Sequence, residues 1–133
     1  MTAGLLAEQG EMVEARRMTI RGLASTRELA SRPDVTPDDL SQYAQAFLTC
    51  EPASLREPST ALRYARASVA KTGETDSVNL DILAQAYFET GDRARAIATE
   101  EKAVSLLAPA EANRPPPPLR QTLEAHLAAF KKQ

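Results

Sequence analysis

The chain has 133 residues, a net charge of -2, 43% hydrophobic and 26% charged residues, the size of one domain and the make-up of a globular protein. Its acids and bases are interspersed, which excludes the basic stripe of a nucleic-acid-binding surface, and no apolar run reaches membrane-span length. With 5% aromatics and no Trp, Ala and Leu must fill the interior. That favours closely packed helices. The β-branched and aromatic residues never alternate over a sustained run, so strands have no support. The N-terminus shows no secretory signal pattern, and the single Cys50 can form no internal disulfide. Cytoplasmic residence is the expectation.

From about Ala3 to Ser31, Met12, Ala15, Thr19, Gly22, Leu23 and Leu29 recur at helical spacing. Gly10 is expected to divide this segment, separating the apolar piece Leu5 to Ala7 from one long amphipathic helix. Gly22 weakens that helix by about 1 kcal/mol unless its missing side chain admits a close contact. Pro33 and Pro37 forbid regular helix between them. Thr36 then caps a helix with Pro37 in its first turn, Asp38 and Asp39 at the positive end of the dipole, and Leu40, Tyr43, Ala44, Phe47 and Leu48 on one side. Pro52 ends it near Cys50.

Residues 53–57 connect to a helix opened by Pro58, with Ala61, Leu62, Ala65, Ser68 and Val69 as its apolar face and Gly73 as its stop. Thr75, Asp76 and Ser77 cap the next helix, which runs to Thr90. Gly91 and Asp92 turn the chain into a helix from about Arg93 to Leu107. Residues 109–118 read as a proline-rich spacer. Pro115 to Pro118 should adopt stiff polyproline II, chiefly as a helix stop, with a ligand for an aromatic-lined groove as the functional alternative. A last helix from about Leu119 to Lys131 carries Leu119, Leu123, Leu127 and Phe130 on one stripe.

Two helix pairs share one pattern. Leu40, Tyr43, Ala44 and Phe47 match Leu80, Leu83, Ala84 and Tyr87 at identical spacing, and Ala61, Ala65 and Ser68 match Ala96, Glu100 and Ala103. A partial third copy sets Leu6, Gly10, Ala15, Thr19 and Gly22 against Tyr87, Gly91, Ala96, Glu100 and Ala103. Small residues let paired helices approach, Phe47 or Tyr87 fills the gap beside them, and each pair needs a neighbour to bury its face.

This pattern resembles the tetratricopeptide repeat family. The match is strongest from Leu80 to Pro109 and weaker from Leu40 to Val69. Leu80 and Glu100 stand where the family often has Trp and an aromatic, the final proline comes one residue late, and the middle unit has five extra residues between Phe47 and Ala61. The resemblance implies an all-α right-handed stack: a truncated pair (1–32), two full pairs (37–73 and 77–108), the spacer and a capping helix (119–133). The first copy lacks a leading helix, so the chain is expected to be cut from a longer protein. The segments Leu48 to Pro52, Ala61 to Arg66 and Glu100 to Ala103 are more specifically similar to the C-terminal repeats of large bacterial serine/threonine protein kinases. No kinase motif is present: no glycine-rich phosphate loop, no His-Arg-Asp, no Asp-Phe-Gly.

In this family the first helix of each pair lines a concave groove. The resemblance puts Ser41, Gln42 and Gln45, and Asp81, Ile82, Gln85 and Glu89, on that groove, where Gln and Asp can hydrogen-bond an extended peptide. A carboxylate-clamping ligand is disfavoured, because no Lys, Arg or Asn occupies these positions. His126 reads as a partly exposed packing residue without a convergent second group, Cys50 as a helix-end packing residue, and Glu100 and Glu101 as a solvated face. No enzyme, cofactor or metal is expected. The expected partner is a protein or peptide, and the alternative is self-association into a homo-oligomer.

Overall fold

The computed structural model describes the backbone of residues 3–107 and 117–132, with side chains from residue 8 onward. Six α-helices account for it, and there is no strand among the described residues: α1 (Ala3–Ala30), α2 (Pro37–Thr49), α3 (Pro58–Thr72), α4 (Ser77–Glu89), α5 (Arg93–Ser105) and α6 (Pro118–Lys131). The fold is all-α. No described helix is long and apolar enough to cross a membrane. The proline-rich spacer lies almost wholly outside the described residues, as do the side chains of Leu5 to Ala7.

The helix ends follow local chemistry. Thr36 accepts from the Asp39 amide at 3.1 Å, Asp76 from the Val78 and Asn79 amides at 2.9 and 3.1 Å, and Asp92 from the Arg95 amide at 3.1 Å. Each serves an amide that the helix itself leaves without an acceptor. Gly73 and Gly91 take the left-handed φ values of 67° and 90° that close α3 and turn α4 into α5. The longer connection of the middle unit folds as a 3-10 turn, Ala53–Leu55. The Arg56 guanidinium ties it to the Cys50 carbonyl at 2.8 Å and to the Glu51 carboxylate at 2.6 Å.

Helix α2 packs on α3 and α4 on α5, α3 and α2 both meet α4, and α5 meets α6. Small residues and one aromatic ring build the core where the helices touch. Ala44, Ala61, Ala65, Ala84 and Ala96 are fully buried, and Phe47 is sealed with its ring 5.7 Å from Tyr64 in an edge arrangement. Leu80 and Leu123 complete the interior. Tyr87 is only half-buried. On α6, Leu123 and Phe130 face inward and Phe130 stacks on Phe88 at 4.8 Å, whereas Leu119 is 40% exposed and falls off the expected stripe. The Arg93 side chain donates to the carbonyls of Phe130 and Lys131, serving the open C-terminal end of α6.

The first helix departs from expectation. Gly10 does not divide it, and α1 runs unbroken through both Gly10 and Gly22. A helix tolerates an isolated glycine at about 1 kcal/mol, and nothing packs on α1 near Gly10 to impose a turn. Of the expected apolar face only Leu23 is buried and Met12 is exposed, as are Met18 and Ile20 off that face. Its C-terminal half docks on the middle unit. The Thr19 hydroxyl donates to the Glu51 carbonyl at 2.8 Å, and Arg27 pairs with Glu57 while lying 4.9 Å over the Phe47 ring.

Candidate functional site

Two stripes of side chains run along α2 and α4 forty residues apart. Asp38, Gln42, Gln45 and Thr49 step up α2 at spacings of four, three and four, and Val78, Ile82, Gln85 and Glu89 repeat those spacings on α4. The two stripes line two hollows. One, of about 390 Å³, is framed by Asp38, Gln42, Gln45, Val78 and Ile82. The other, of about 350 Å³, is framed by Thr49, Gln85, Glu89 and, from α6, His126 and Phe130. Together the stripes line a trough along α2 and α4, whose walls offer amide and carboxylate groups and whose deeper lining mixes Ile82 with Ser41 and Asn79.

Of the expected groove residues, Gln42, Gln45 and Glu89 are exposed and Gln85 is half-buried. Ser41, Asp81 and Ile82 are not wet surface, being 3%, 6% and 5% exposed. Ile82 and Ser41 lie deep in the lining of the first hollow. Ser41 and Asp81, one residue off the stripe, bond to the helices behind it.

Around Ser41 the protons can be counted. Ser68 donates its one hydroxyl proton to the Pro37 carbonyl at 2.7 Å. Ser41, 2.8 Å from Ser68, has one proton for two acceptors, the Ser68 oxygen and Asn79 Oδ1 at 2.7 Å. Turning the Asn79 NH2 toward Ser41 would give that buried nitrogen a partner and leave the Asn79 oxygen in its place without one. This node is neutral and buried: a strut between α2, α3 and α4.

Its counterpart on the second pair is charged. Asp81 on α4 holds His126 on α6 through a 2.7 Å contact between Oδ1 and Nδ1, and its second oxygen accepts from Gln85 Nε2 at 3.0 Å. Glu100 on α5 reaches the same point. Contrary to a solvated face, its side chain is fully buried, with no donor serving either carboxylate oxygen. Burial pushes the Glu100 carboxyl up to about 9, and Asp81 adds to this as hydrogen-bond acceptor and as a negative charge. As a neutral acid Glu100 can donate to Asp81; as a carboxylate it faces another carboxylate. The donor atoms of Asp81, Glu100 and His126 all lie within 4.8 Å of one another.

His126 therefore does have convergent partners. The missed signal is the stripe Ala96, Glu100 and Ala103, a carboxylate in the middle of an alanine face. Cys50 is half-buried at the end of α2, a free thiol.

No family model, curated protein or solved structure matches the chain.

Proposed function

We propose that the chain is a non-catalytic protein-interaction module of tetratricopeptide type, which holds an extended peptide in the trough along α2 and α4. The carrying observation is the forty-residue recurrence of the two stripes, with exposed Gln42 and Gln45 sharing one hollow with Val78 and Ile82. Glutamine offers both a donor and an acceptor, the pair that an extended backbone needs, and Val78 and Ile82 offer apolar contact to a side chain. The similarity to repeats of bacterial serine/threonine kinases supports a place beside a signalling domain in a larger cytoplasmic protein.

The test is a peptide display library selected on the folded chain. Selected peptides should lose at least about tenfold in affinity on Gln45→Arg and on Gln85→Arg. They should be unaffected by Arg66→Glu, an exposed position on α3 that faces away from the trough. Binding that ignores both trough substitutions overturns the reading.

A second reading, self-association, has one observation in its favour: Met12, Val13, Met18 and Ile20 leave α1 with 49–71% of each side chain exposed. Sedimentation across a concentration series separates the two. A dimer that dissociates on Met12→Glu favours self-association, and a monomer throughout removes it.

A further inference from the structure

We propose that Asp81, Glu100 and His126 form a binding site for a divalent transition metal ion, with Zn2+ the best fit to the donors. Three helices supply one ligand each: α4, α5 and α6. The set is two carboxylates and an imidazole, a mixed oxygen and nitrogen set suited to zinc and too poor in oxygens for calcium. The donor atoms already lie within 4.8 Å of one another. Ligands bonded at about 2.0–2.2 Å around a tetrahedral ion stand roughly 3.3–3.6 Å apart, so small side-chain rotations close the site.

The independent observation is Glu100. Its side chain is 0% exposed, it is aimed at Asp81 and His126, and no donor serves either oxygen. Buried polar atoms nearly always have partners, and a cation is the partner that two facing carboxylates lack. On binding, the ion takes the place of the proton between His126 Nδ1 and Asp81 Oδ1, which moves to Nε2 of the neutral imidazole, and the Glu100 carboxyl gives its proton to solvent, so one proton leaves as the metal enters. Gln85, donating to the other Asp81 oxygen, fixes the carboxylate from behind. His126 also borders the hollow between α4 and α6, which gives the ion a way in. Bound metal would fasten α6 to the α4–α5 pair.

The experiment uses the full chain, stripped with chelator and titrated with ZnCl2 by calorimetry, with Co2+ absorption as a second readout of coordination. One ion per chain is expected, with a rise in melting temperature. His126→Ala and the isosteric Glu100→Gln should each weaken binding by about tenfold or more. Their helical circular dichroism should match that of the parent, and Cys50→Ser should bind as the parent does. No binding to the folded parent at about 1 mM Zn2+, binding unchanged in both His126→Ala and Glu100→Gln, or binding lost in Cys50→Ser overturns the proposal.

Discussion

The α2–α3 and α4–α5 pairs share a frame and differ in what the frame encloses. Leu40 and Leu80, Ala44 and Ala84, and Ala61 and Ala96 are buried at matching places. The inward-turned residue of each first helix does not match: Ser41 in one pair, Asp81 in the other. At matching places the second helix carries Ala65 and Ser68 in one pair and Glu100 and Ala103 in the other. The first pair therefore encloses a neutral chain of hydrogen bonds. The second encloses two facing carboxyls and an imidazole. Small residues where helices touch fix the frame; the position behind the stripe is free to vary, and the chain places its chemistry there.

The largest expected difference between the pairs lies at Phe47 and Tyr87, which the repeat equates. Phe47 is fully buried against Tyr64 with Arg27 over its face, whereas Tyr87 is half-buried beside Arg95. Phe47→Ala should cost about 3–5 kcal/mol, measured as a shift in urea midpoint at unchanged m value. Tyr87→Ala, with part of its ring already wet, should cost roughly 1–3 kcal/mol. Equal losses would mean that the two pairs pack alike and that the contrast drawn at these rings is false.

The enclosed groups give the next contrast, which is one of pH. The Glu100 carboxyl is raised from 4.5 to about 9 by burial and by Asp81, and Asp81, Gln85 and His126 are the groups gathered around it. Below pH 4.5 the carboxyl is protonated both folded and unfolded, and its favourable contribution is intact. Between 4.5 and about 9 the unfolded chain releases the proton and the folded chain keeps it, so stability falls as pH rises through that window. In the presence of chelator, urea unfolding from pH 5 to pH 9 should show this decline, and Glu100→Gln should flatten it. Ser41→Ala breaks the neutral node. It should cost about 1–3 kcal/mol for the groups left unserved, by the same amount at every pH. A pH slope in the difference between parent and Ser41→Ala would show that the two nodes are coupled.

These contrasts also mark where the sequence was readable. Caps at Thr36 and Asp76, the stop at Gly73 and the turn at Gly91 were legible because their chemistry is local: a side-chain oxygen for an amide two or three residues on, a glycine for a left-handed turn. Of the residues that the resemblance puts on a groove, Gln42, Gln45, Gln85 and Glu89 do line the hollows, but a helix face is about 100° wide, and one residue's offset buries Ser41 and Asp81. Glu100 was misread because charge normally signals water; its burial depends on Asp81 and His126, 19 and 26 residues away in the chain. Gly10 was misread because a repeat register suggested a turn, and a glycine permits a turn without imposing one.

The smallest expected effect tests the least packed region, α1, against the pairs it precedes. A Cβ built on Gly22 meets nothing within 4 Å, and the residue is helical and exposed. Glycine there brings only its conformational cost and no close contact in return. Gly22→Ala should therefore stabilise the chain by about 0.5–1 kcal/mol, seen as a rise in urea midpoint. The sign is more informative than the size. A gain at every protein concentration means that this face of α1 meets only water. A loss that appears as concentration rises would mean that another surface closes on Gly22 at the place where the monomer leaves it bare. The exposed Met18 nearby would then belong to an interface between copies, and the trough would no longer be the leading candidate for the chain's binding surface.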